Sequence, residues 1–343
     1  MKITFITHSL AGGGSEHVLT IIANYFATHG YEVTIISRTH KNNQYSIDSH
    51  IDVQYVETKS HLIFLRRSRQ IIRNIKPNTV ISFEYFYNMC AVLICLGLNV
   101  KLLISERNDP ARVGSGFIKS RIRNILYSFA DVLICQTDDA KNYFPDYIRK
   151  KVFIILNPIM SGLPSKQEKV RDKVIVNFCR LNKQKNIPLL ISAFEEFCNI
   201  HPDYELHIYG DGAEKETILD IIYSKHLERI IKVFPNTPNV HELVINAAMF
   251  VSTSDFEGLS MLEALSMGLP TICTDCPCGG ARMVIEDGVN GFLIPVNNQK
   301  SLVDKMLLIA GSSELTIKLS NNALKINNKL NVDNICKQWI SLL

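Results

Sequence analysis

The sequence lacks an apolar run long enough to cross a lipid bilayer. Its longest such run, Met89–Leu98, spans 10 residues, whereas a transmembrane helix needs about 20. Residues Met1–Ile6 have the pattern of a strand and lack the basic and then apolar order of a targeting segment. We therefore expect a cytoplasmic protein that at most attaches to a membrane surface.

Glycine, proline and charged residues are too few for a fibrous or disordered chain. The 343 residues include 17 Gly and 12 Pro, and charged residues make up 20% against 46% hydrophobic residues. This composition is that of a globular protein. At roughly 100–200 residues per domain, the length predicts about two domains.

The nine cysteines follow neither the pattern of a secreted disulfide scaffold nor that of a metal site. Their odd number and scatter favour a reducing compartment. Cys273, Cys276 and Cys278 are close in sequence, but no second Cys or His cluster accompanies them, and a structural zinc needs four ligands. We predict no metal site and no other cofactor.

Positive charge is concentrated in the first half of the chain. Residues 1–155 contain 19 Lys and Arg against 12 Asp and Glu, a net of +7, and the remainder has 18 against 21, a net of −3. Two basic clusters, Arg66–Lys76 and Lys119–Arg123, interleave with apolar residues. They are typical of basic amphipathic helices on an anionic membrane. The alternative is a surface helix with solvated arginines. No nucleic-acid motif accompanies the charge, so we expect no nucleic-acid partner.

Strand-like runs alternate with helical periodicity in both halves of the chain. Runs rich in Val and Ile are typical of parallel strands covered on both faces, and the alternation predicts a doubly wound α/β sheet in each half. A polar segment separates the halves, which predicts domains over residues 1–160 and 173–325, a linker over 161–172 and a C-terminal helix over 326–343. Ligands would bind in a cleft between the halves, at the carboxyl ends of strands. The predicted strands are Ile3–Thr7, Glu32–Ser37, Thr79–Phe83, Lys101–Ser105, Val132–Cys135, Val152–Leu156, Val174–Cys179, Glu205–Tyr209, Ile231–Phe234, Phe250–Thr253 and Thr271–Thr274.

A glycine-rich turn follows the first predicted strand. Gly12, Gly13 and Gly14 precede Ser15 and Glu16 and lead into a helical pattern. Glycine lets a backbone approach a ligand closely, and a helix N-terminus favours an anion. The spacing is not that of the dinucleotide-binding fingerprint. The turn is therefore either a phosphate-binding loop or a plain tight turn.

Two cations follow the first predicted strand of the second half. Arg180 comes at the end of that strand, and Lys185 comes at the start of the next helical pattern. A guanidinium can bind two phosphate oxygens at once, and a lysine adds a point charge. Together they predict a diphosphate site, whereas either one alone would be an ordinary surface charge.

Two carboxylates surround the start of a later helical pattern. Glu257 precedes Gly258 in a loop, and Glu263 falls in the first turn of the predicted helix. Carboxylates accept hydrogen bonds from sugar hydroxyls, and helix N-terminal amides bind phosphates, so the pair predicts a sugar-nucleotide site. The alternatives are a capping box formed by Ser260 and Glu263, and a solvated loop acid at Glu257.

The order of these motifs resembles that of GT-B glycosyltransferases of family 4, in particular the bacterial capsule, exopolysaccharide and lipid-linked-oligosaccharide enzymes. The resemblance covers nearly the whole chain. It implies the GT-B fold, in which an N-terminal Rossmann-like domain binds the acceptor, a C-terminal one binds the nucleotide-sugar donor, and a C-terminal helix crosses back to the first domain. The motifs that carry it are Gly13-Gly14-Ser15-Glu16, Glu106-Arg107, Arg180-Leu181, Lys185-Asn186, Gly210-Asp211-Gly212, Glu257-Gly258, Glu263-Ala264 and Gly279-Gly280-Ala281-Arg282.

The resemblance also implies an activity and a set of site residues. A retaining enzyme would move a sugar from a nucleotide-sugar donor, expected to be a UDP-sugar, to a hydroxyl of a polysaccharide or lipid-linked glycan, without a metal. It would work in the cytoplasm, with the anionic inner membrane surface as a candidate partner. The implied catalytic residues are Glu257, Arg180 and Lys185. Arg180 and Lys185 would hold the diphosphate and neutralise the leaving group, Glu257 would hold the donor sugar, and Glu263 would hold the ribose. The remaining implied residues are Gly13, Gly14, Gly258, Leu259 and Ser260 for the donor, and Glu106 and Arg107 on the acceptor side.

One spacing departs from the family pattern. Five residues separate Glu257 from Glu263, where the family usually has seven, and we therefore predict that the short loop limits activity. Two alternative functions stay open. The first is a nucleotide-sugar epimerase or sugar phosphorylase, which can share this architecture, and the second is a nucleotide-sugar-binding subunit whose catalysis is impaired by the short loop. Conversion of the donor without an acceptor would indicate the first, and tight UDP binding without turnover would indicate the second.

Overall fold

A computed structural model describes residues 1–42, 44–160, 162–165, 170–256 and 258–343. The chain divides into two compact units. Unit 1 comprises Met1–Pro158 together with Leu330–Leu343, and unit 2 comprises Ile159–Lys329. Each unit contains one sheet whose strands are all parallel.

The sheet of unit 1 has seven strands in the order β3-β2-β1-β4-β5-β6-β7. The chain runs outward from β1 first to one edge and then to the other, which is the doubly wound arrangement. Its central strands are buried because helices cover both faces. The strands are β1 (Lys2–Thr7), β2 (Glu32–Ser37), β3 (Asp52–Tyr55), β4 (Thr79–Phe83), β5 (Lys101–Ser105), β6 (Val132–Cys135) and β7 (Val152–Ile154).

The helices of unit 1 include one from the end of the chain. They are α1 (Gly14–Thr28), α2 (His61–Ile75), α3 (Tyr85–Cys95), α4 (Phe117–Tyr127), α5 (Asp138–Tyr143), α6 (Asp146–Arg149) and α14 (Val332–Ile340). Helix α14 packs against α1. Its Trp339 is fully buried and stacks on the Phe83 ring, with centroids 5.6 Å apart. The C-terminal helix is therefore anchored in the core of unit 1 by an aromatic pair.

The sheet of unit 2 has six strands in the order β10-β9-β8-β11-β12-β13. The strands are β8 (Asp172–Phe178), β9 (Glu205–Tyr209), β10 (Ile231–Phe234), β11 (Ala247–Ser252), β12 (Thr271–Thr274) and β13 (Phe292–Ile294). The helices are α7 (Ile187–Cys198), α8 (Lys215–Ser224), α9 (Val240–Val244), α10 (Leu259–Ser266), α11 (Gln299–Gly311), α12 (Ser313–Ala323) and α13 (Ile326–Leu330). Since β8 and β11 are neighbours, the loops that follow them emerge at one edge of the sheet.

The structure confirms the predicted class of two doubly wound parallel sheets, but the sequence analysis missed β3 and β13. Both are edge strands of four and three residues, and β3 has no buried residue to mark it. The segment predicted as one helix over 326–343 is two helices. Asn331 has extended backbone, and its side chain accepts a 2.7 Å hydrogen bond from Asn334 N, so it caps a new helix.

Within the described ranges, no helix combines the length and the apolar character that a membrane span requires.

Candidate active site

Two glycines hold the backbone of Arg180 in place. Arg180 follows β8 in an exposed position between Cys179 and Leu181. A Cβ atom on Gly210 would overlap the carbonyl oxygen of Cys179, and one on Gly212 would overlap that of Leu181. The glycines after β9 therefore permit a close approach of two loops, which fixes the Arg180 peptide without blocking its side chain.

Asp211, between those glycines, ties the same loops together. Its carbonyl accepts a 3.0 Å hydrogen bond from Leu181 N. Its carboxylate accepts one from Lys215 Nζ at 2.7 Å and another from Asn236 N at 2.8 Å. The bond from Lys215, followed by that from Asn236, lowers the pKa of Asp211. The structure thus explains the Gly-Asp-Gly motif as a support for Arg180.

Lys185 lies in a single turn that is bonded to the loop after β11. The turn spans Lys183–Lys185. The Thr253 hydroxyl lies 3.0 Å from the Lys185 carbonyl oxygen, and Asp255 N donates to Gln184 O at 2.8 Å. These bonds bring the turn after β8 to the end of β11, although the two segments are far apart in sequence.

The side chain of Lys185 reaches the start of α10. Its Nζ atom lies 3.6 Å from the position that a Cβ atom on Gly258 would occupy. Gly258 is the N-cap residue of α10, and no side chain caps that end within the part of the chain described. An ammonium group therefore lies beside the N-terminal amides of α10, and both attract an anion. This arrangement suits a phosphate group.

The capping box considered for Ser260 and Glu263 is not formed. Helix α10 already begins at Leu259, which places Ser260 inside the first turn and Glu263 in the second. Both side chains are half-buried. Glu263 is therefore available for another partner, which the sequence analysis did not identify.

That partner is His241. Its Nε2 atom lies 3.1 Å from Glu263 Oε2, and the two side chains are only 15% and 14% exposed. The imidazole packs edge-on against Phe178, with ring centroids 5.8 Å apart. His241 belongs to the short helix α9. It holds the Glu263 carboxylate in one orientation at the edge where β8 and β11 end.

Glu257 lies outside the described residues. Its predicted contact with the donor sugar and the predicted effect of the short loop therefore stay predictions. The other donor-site residues predicted in the second half, Arg180, Lys185, Gly258, Leu259, Ser260 and Glu263, all follow β8 or β11.

In unit 1, the glycine-rich turn is the start of α1. Gly12 has a φ of +91°, which favours glycine, and Gly13 is the N-cap residue with extended backbone. Gly14 is the first helical residue. The next side chain, Ser15, lies within hydrogen-bond distance of Glu84 and 2.9 Å from a Glu16 oxygen. The turn after β1 thus meets the turn after β4.

Glu84 has an unusual backbone for a residue with a side chain. Its φ of 74° and ψ of 148° fall in a region that is essentially restricted to glycine. It is the N-cap residue of α3, and its amide donates to Ser105 O at 3.1 Å. Such strain clusters at functional sites. Glu84 was not predicted from the sequence, although an acid directly after a buried strand was a usable signal.

Glu106, predicted on the acceptor side, is buried in a polar network. It is 2% exposed, and the Tyr127 hydroxyl donates to Oε2 at 2.9 Å. Asn88 Nδ2 lies 3.2 Å from the same hydroxyl and 2.9 Å from Ser105 O. Oε1 has no hydrogen-bond partner among the described residues. Burial is the main cause that raises the pKa of Glu106 to about 7.

Arg107 packs in the core rather than in an open site. It is 8% exposed, and its guanidinium lies 4.5 Å from the ring centroid of Phe83 and 5.6 Å from that of Trp339. Nη1 donates to Asn157 Oδ1 at 2.9 Å. Within unit 1, Arg107 therefore links the C-terminal helix to Asn157, near the end of the segment Met1–Pro158. An acceptor contact for Glu106 and Arg107 stays a prediction.

No group of three or more His, Cys, Asp or Glu residues in the described ranges could hold a metal ion. Cys276 and Cys278 are buried. Whether the reaction uses a metal stays a prediction.

Models of glycosyltransferase families match both halves of the chain. The model of glycosyltransferase family 4 matches residues 12–160, and the model of glycosyl transferases group 1 matches residues 163–326. The chain is a family 4 glycosyltransferase of the GT-B type. The predicted family and fold are confirmed.

Individual proteins similar to this glycosyltransferase support the same assignment. The GalNAc-α-(1→4)-GalNAc-α-(1→3)-diNAcBac-PP-undecaprenol α-1,4-N-acetyl-D-galactosaminyltransferase of Campylobacter jejuni is 25% identical over 100% of this chain and 98% of that protein. The amylovoran biosynthesis glycosyltransferase AmsD of Erwinia amylovora is 23% identical over 96% of each chain. The crystal structure of Anabaena HepE in complex with UDP-glucose matches with a TM-score of 0.84, 18% identity and full coverage of both chains.

Proposed function

We propose that this glycosyltransferase moves a sugar from a UDP-sugar to a hydroxyl of a polysaccharide or lipid-linked glycan, with retention of the anomeric configuration. The observation that carries the proposal is the ammonium group of Lys185 beside the N-terminus of α10, at the sheet edge where Arg180 also emerges. A nucleoside diphosphate supplies the charge that this edge of unit 2 attracts.

Arg180 and Lys185 act on the leaving group. When the bond between the anomeric carbon and the diphosphate oxygen breaks, negative charge grows on the diphosphate. Cations and amide dipoles that are already in place stabilise this charge without reorganisation. The close approach of Gly210 and Gly212 to the residues on either side of Arg180, and the hydrogen bond from Thr253 to the Lys185 carbonyl, supply that preorganisation.

Glu263 and Glu257 bind the hydroxyl groups of the donor. The His241 contact leaves one Glu263 oxygen, Oε1, to accept hydrogen bonds from the ribose. Glu257 takes the hydroxyls of the transferred sugar, as the family resemblance implies.

The nature of donor and acceptor rests on the relatives. HepE has been crystallised with UDP-glucose, which supports a UDP-sugar donor. The Campylobacter relative is named for a polyprenyl-diphosphate-linked glycan and an α-linked product, and AmsD for biosynthesis of an exopolysaccharide. A lipid-linked acceptor places the enzyme at the cytoplasmic face of the inner membrane, attached peripherally.

A donor panel tests the function. UDP release is measured from several UDP-sugars with and without an undecaprenyl-diphosphate-linked oligosaccharide, and NMR gives the anomeric configuration of the product. We expect release that depends on acceptor and an α-product from an α-linked donor. Conversion of the donor without acceptor would show an epimerase instead. UDP binding without turnover on any donor would show a binding subunit.

A further inference from the structure

Helix α4 exposes its three isoleucines and buries one of its arginines. Ile118, Ile122 and Ile125 are 71%, 50% and 59% exposed, whereas Arg123 is fully buried. The Arg123 guanidinium donates to Pro110 O at 2.8 Å. A helix on a water-exposed surface normally has the opposite orientation. The prediction that Arg123 belongs to an exposed basic cluster is therefore wrong, and α4 does not fit the alternative of a solvated polar face.

The outward residues form one continuous line. Ile118, Ile122 and Ile125 follow the spacing i, i+4 and i+7, which places them on one side of α4, and Phe129 continues this spacing at i+11. Phe129 lies two residues beyond the end of α4 and is 58% exposed, and Phe117 at the start of the helix is 71% exposed. We call Ile118, Ile122, Ile125 and Phe129 the α4 stripe.

The neighbouring helices extend this apolar character. Helix α3 packs against both α2 and α4, so the three helices form one layer on the sheet of unit 1. Exposed apolar residues continue across it with Leu93 at 44%, Leu62 at 58% and Ile63 at 43%. Large exposed apolar areas mark surfaces that bind something other than water.

The same layer carries positive charge and no negative charge. Helices α2, α3 and α4 contain no Asp or Glu. Their exposed cations are Arg66, Arg67, Arg73, Lys119 and Arg121. Apolar residues bordered by cations complement a surface that is apolar inside and anionic outside.

We propose that the outer face of α2, α3 and α4 binds an anionic lipid bilayer, with the α4 stripe inserted at the boundary between headgroups and acyl chains. The exposed arginines and lysine then lie at the depth of the lipid phosphates, because long basic side chains extend from an apolar surface toward the headgroups. Binding combines burial of apolar surface, which salt does not weaken, with attraction that salt screens.

A second copy of the chain is a poorer occupant of this face. A two-fold dimer places the same patch on both partners. The cations of α2 and α4 would then face each other without any acid on the three helices to offset them. Anionic lipid removes that repulsion.

This inference rests on the proposed function only for the membrane-borne acceptor, and its test does not require turnover. The protein is sedimented with vesicles of phosphatidylcholine alone or of phosphatidylcholine with phosphatidylglycerol, at about 0.1 M and about 1 M NaCl, between which the Debye length falls from about 10 Å to 3 Å. The stripe variant is I118S/I122S and the charge variant is R66Q/R67Q. The matched control I200S/I317S changes two isoleucines of unit 2 that are 61% and 52% exposed.

We expect the wild type and the control to pellet with anionic vesicles and to keep part of their binding at high salt. The stripe variant should lose at least about tenfold in partitioning, and the charge variant should lose the salt-sensitive part. Calorimetric UDP affinity should be equal in all four proteins, which separates this result from failure of the donor site. The proposal is overturned if the wild type stays in the supernatant, if the stripe variant pellets like the control, or if sedimentation velocity shows a dimer that the stripe variant abolishes.

Discussion

His241 Nε2 lies 3.1 Å from Glu263 Oε2. This contact fixes the orientation of one of the two carboxylates that we propose bind the hydroxyl groups of the donor. The two residues are 22 positions apart, one in the short helix α9 and the other in α10. The imidazole also packs edge-on against Phe178. His241 is thus a positioning residue that acts through Glu263.

Replacement of His241 by alanine should weaken UDP binding. Loss of a hydrogen bond of about 0.5–1.5 kcal/mol corresponds to roughly a two- to tenfold rise in Kd. Because Glu263 is proposed to accept hydrogen bonds from the ribose hydroxyls, the variant should also show a smaller preference for UDP over 2′,3′-dideoxyuridine diphosphate. Isothermal titration calorimetry with both ligands measures the two quantities.

The control for this prediction is His207→Ala. His207 makes a similar contact, 2.8 Å from Glu205, on β9 of the same unit. It should leave both affinities unchanged. An H241A protein that binds UDP less tightly but keeps the full ribose preference would show that His241 supports only the fold.

Glycine at position 84 should stabilise the protein relative to alanine. The backbone of Glu84 costs about 1–3 kcal/mol in any residue with a side chain, whereas glycine adopts it freely. Differential scanning calorimetry should therefore give a higher Tm for E84G than for E84A. Glu32 lies in strand β2 and serves as the control. There E32A should have a higher Tm than E32G, because glycine in a strand is less stable than alanine. Equal Tm values for E84G and E84A would show that the backbone at position 84 is not strained.

The stability of unit 1 should fall as pH rises, because of Glu106. The unfolded carboxyl ionises near its usual pKa of 4.5, whereas burial raises the folded pKa to about 7. Between these values the folded state binds more protons, so rising pH destabilises it, by up to about 3 kcal/mol at 1.36 kcal/mol per pKa unit. Below the unfolded pKa of 4.5, Glu106 is protonated in both states and stability does not depend on its titration. Above the folded pKa of about 7, the full destabilisation is present.

The variant Glu106→Gln removes this titration. Between about pH 4.5 and pH 8, its Tm should fall less than that of the wild type. Circular dichroism melts of both proteins at these pH values measure the difference. If the difference in Tm between the wild type and E106Q stays constant over this pH range, Glu106 is ionised in the folded protein throughout the range.

Lengthening the loop before α10 should raise activity. Because α10 begins at Leu259, two small polar residues belong between Gly258 and Leu259, where they restore the family's spacing of Glu257 and Glu263 without entering the helix. We expect kcat/KM to rise while UDP affinity changes little, the pattern of recovered transition-state contacts. A slower enzyme with the insertion would show that the short loop is a working form.

Much of the fold and part of the site could be predicted from the sequence because local patterns encode them. Buried Val/Ile runs marked strands such as Thr79–Phe83 correctly, and the strand ends placed Arg180 at the proper edge. Contacts between distant segments left no local pattern. The pairing of His241 with Glu263 and the inward turn of Arg123 depend on how helices pack. The edge strand β3 was missed because its residues are too exposed to form an apolar run.

The central claim is that unit 2 binds a nucleoside diphosphate through Arg180 and Lys185, and calorimetric titration with UDP tests it most directly. Arg180→Ala and Lys185→Ala should each raise Kd by roughly ten- to 150-fold, since a hydrogen bond to a charged group contributes about 1.5–3 kcal/mol. Lys183→Ala, an exposed lysine in the same turn, should leave Kd unchanged. Unchanged UDP affinity in both R180A and K185A would contradict the account.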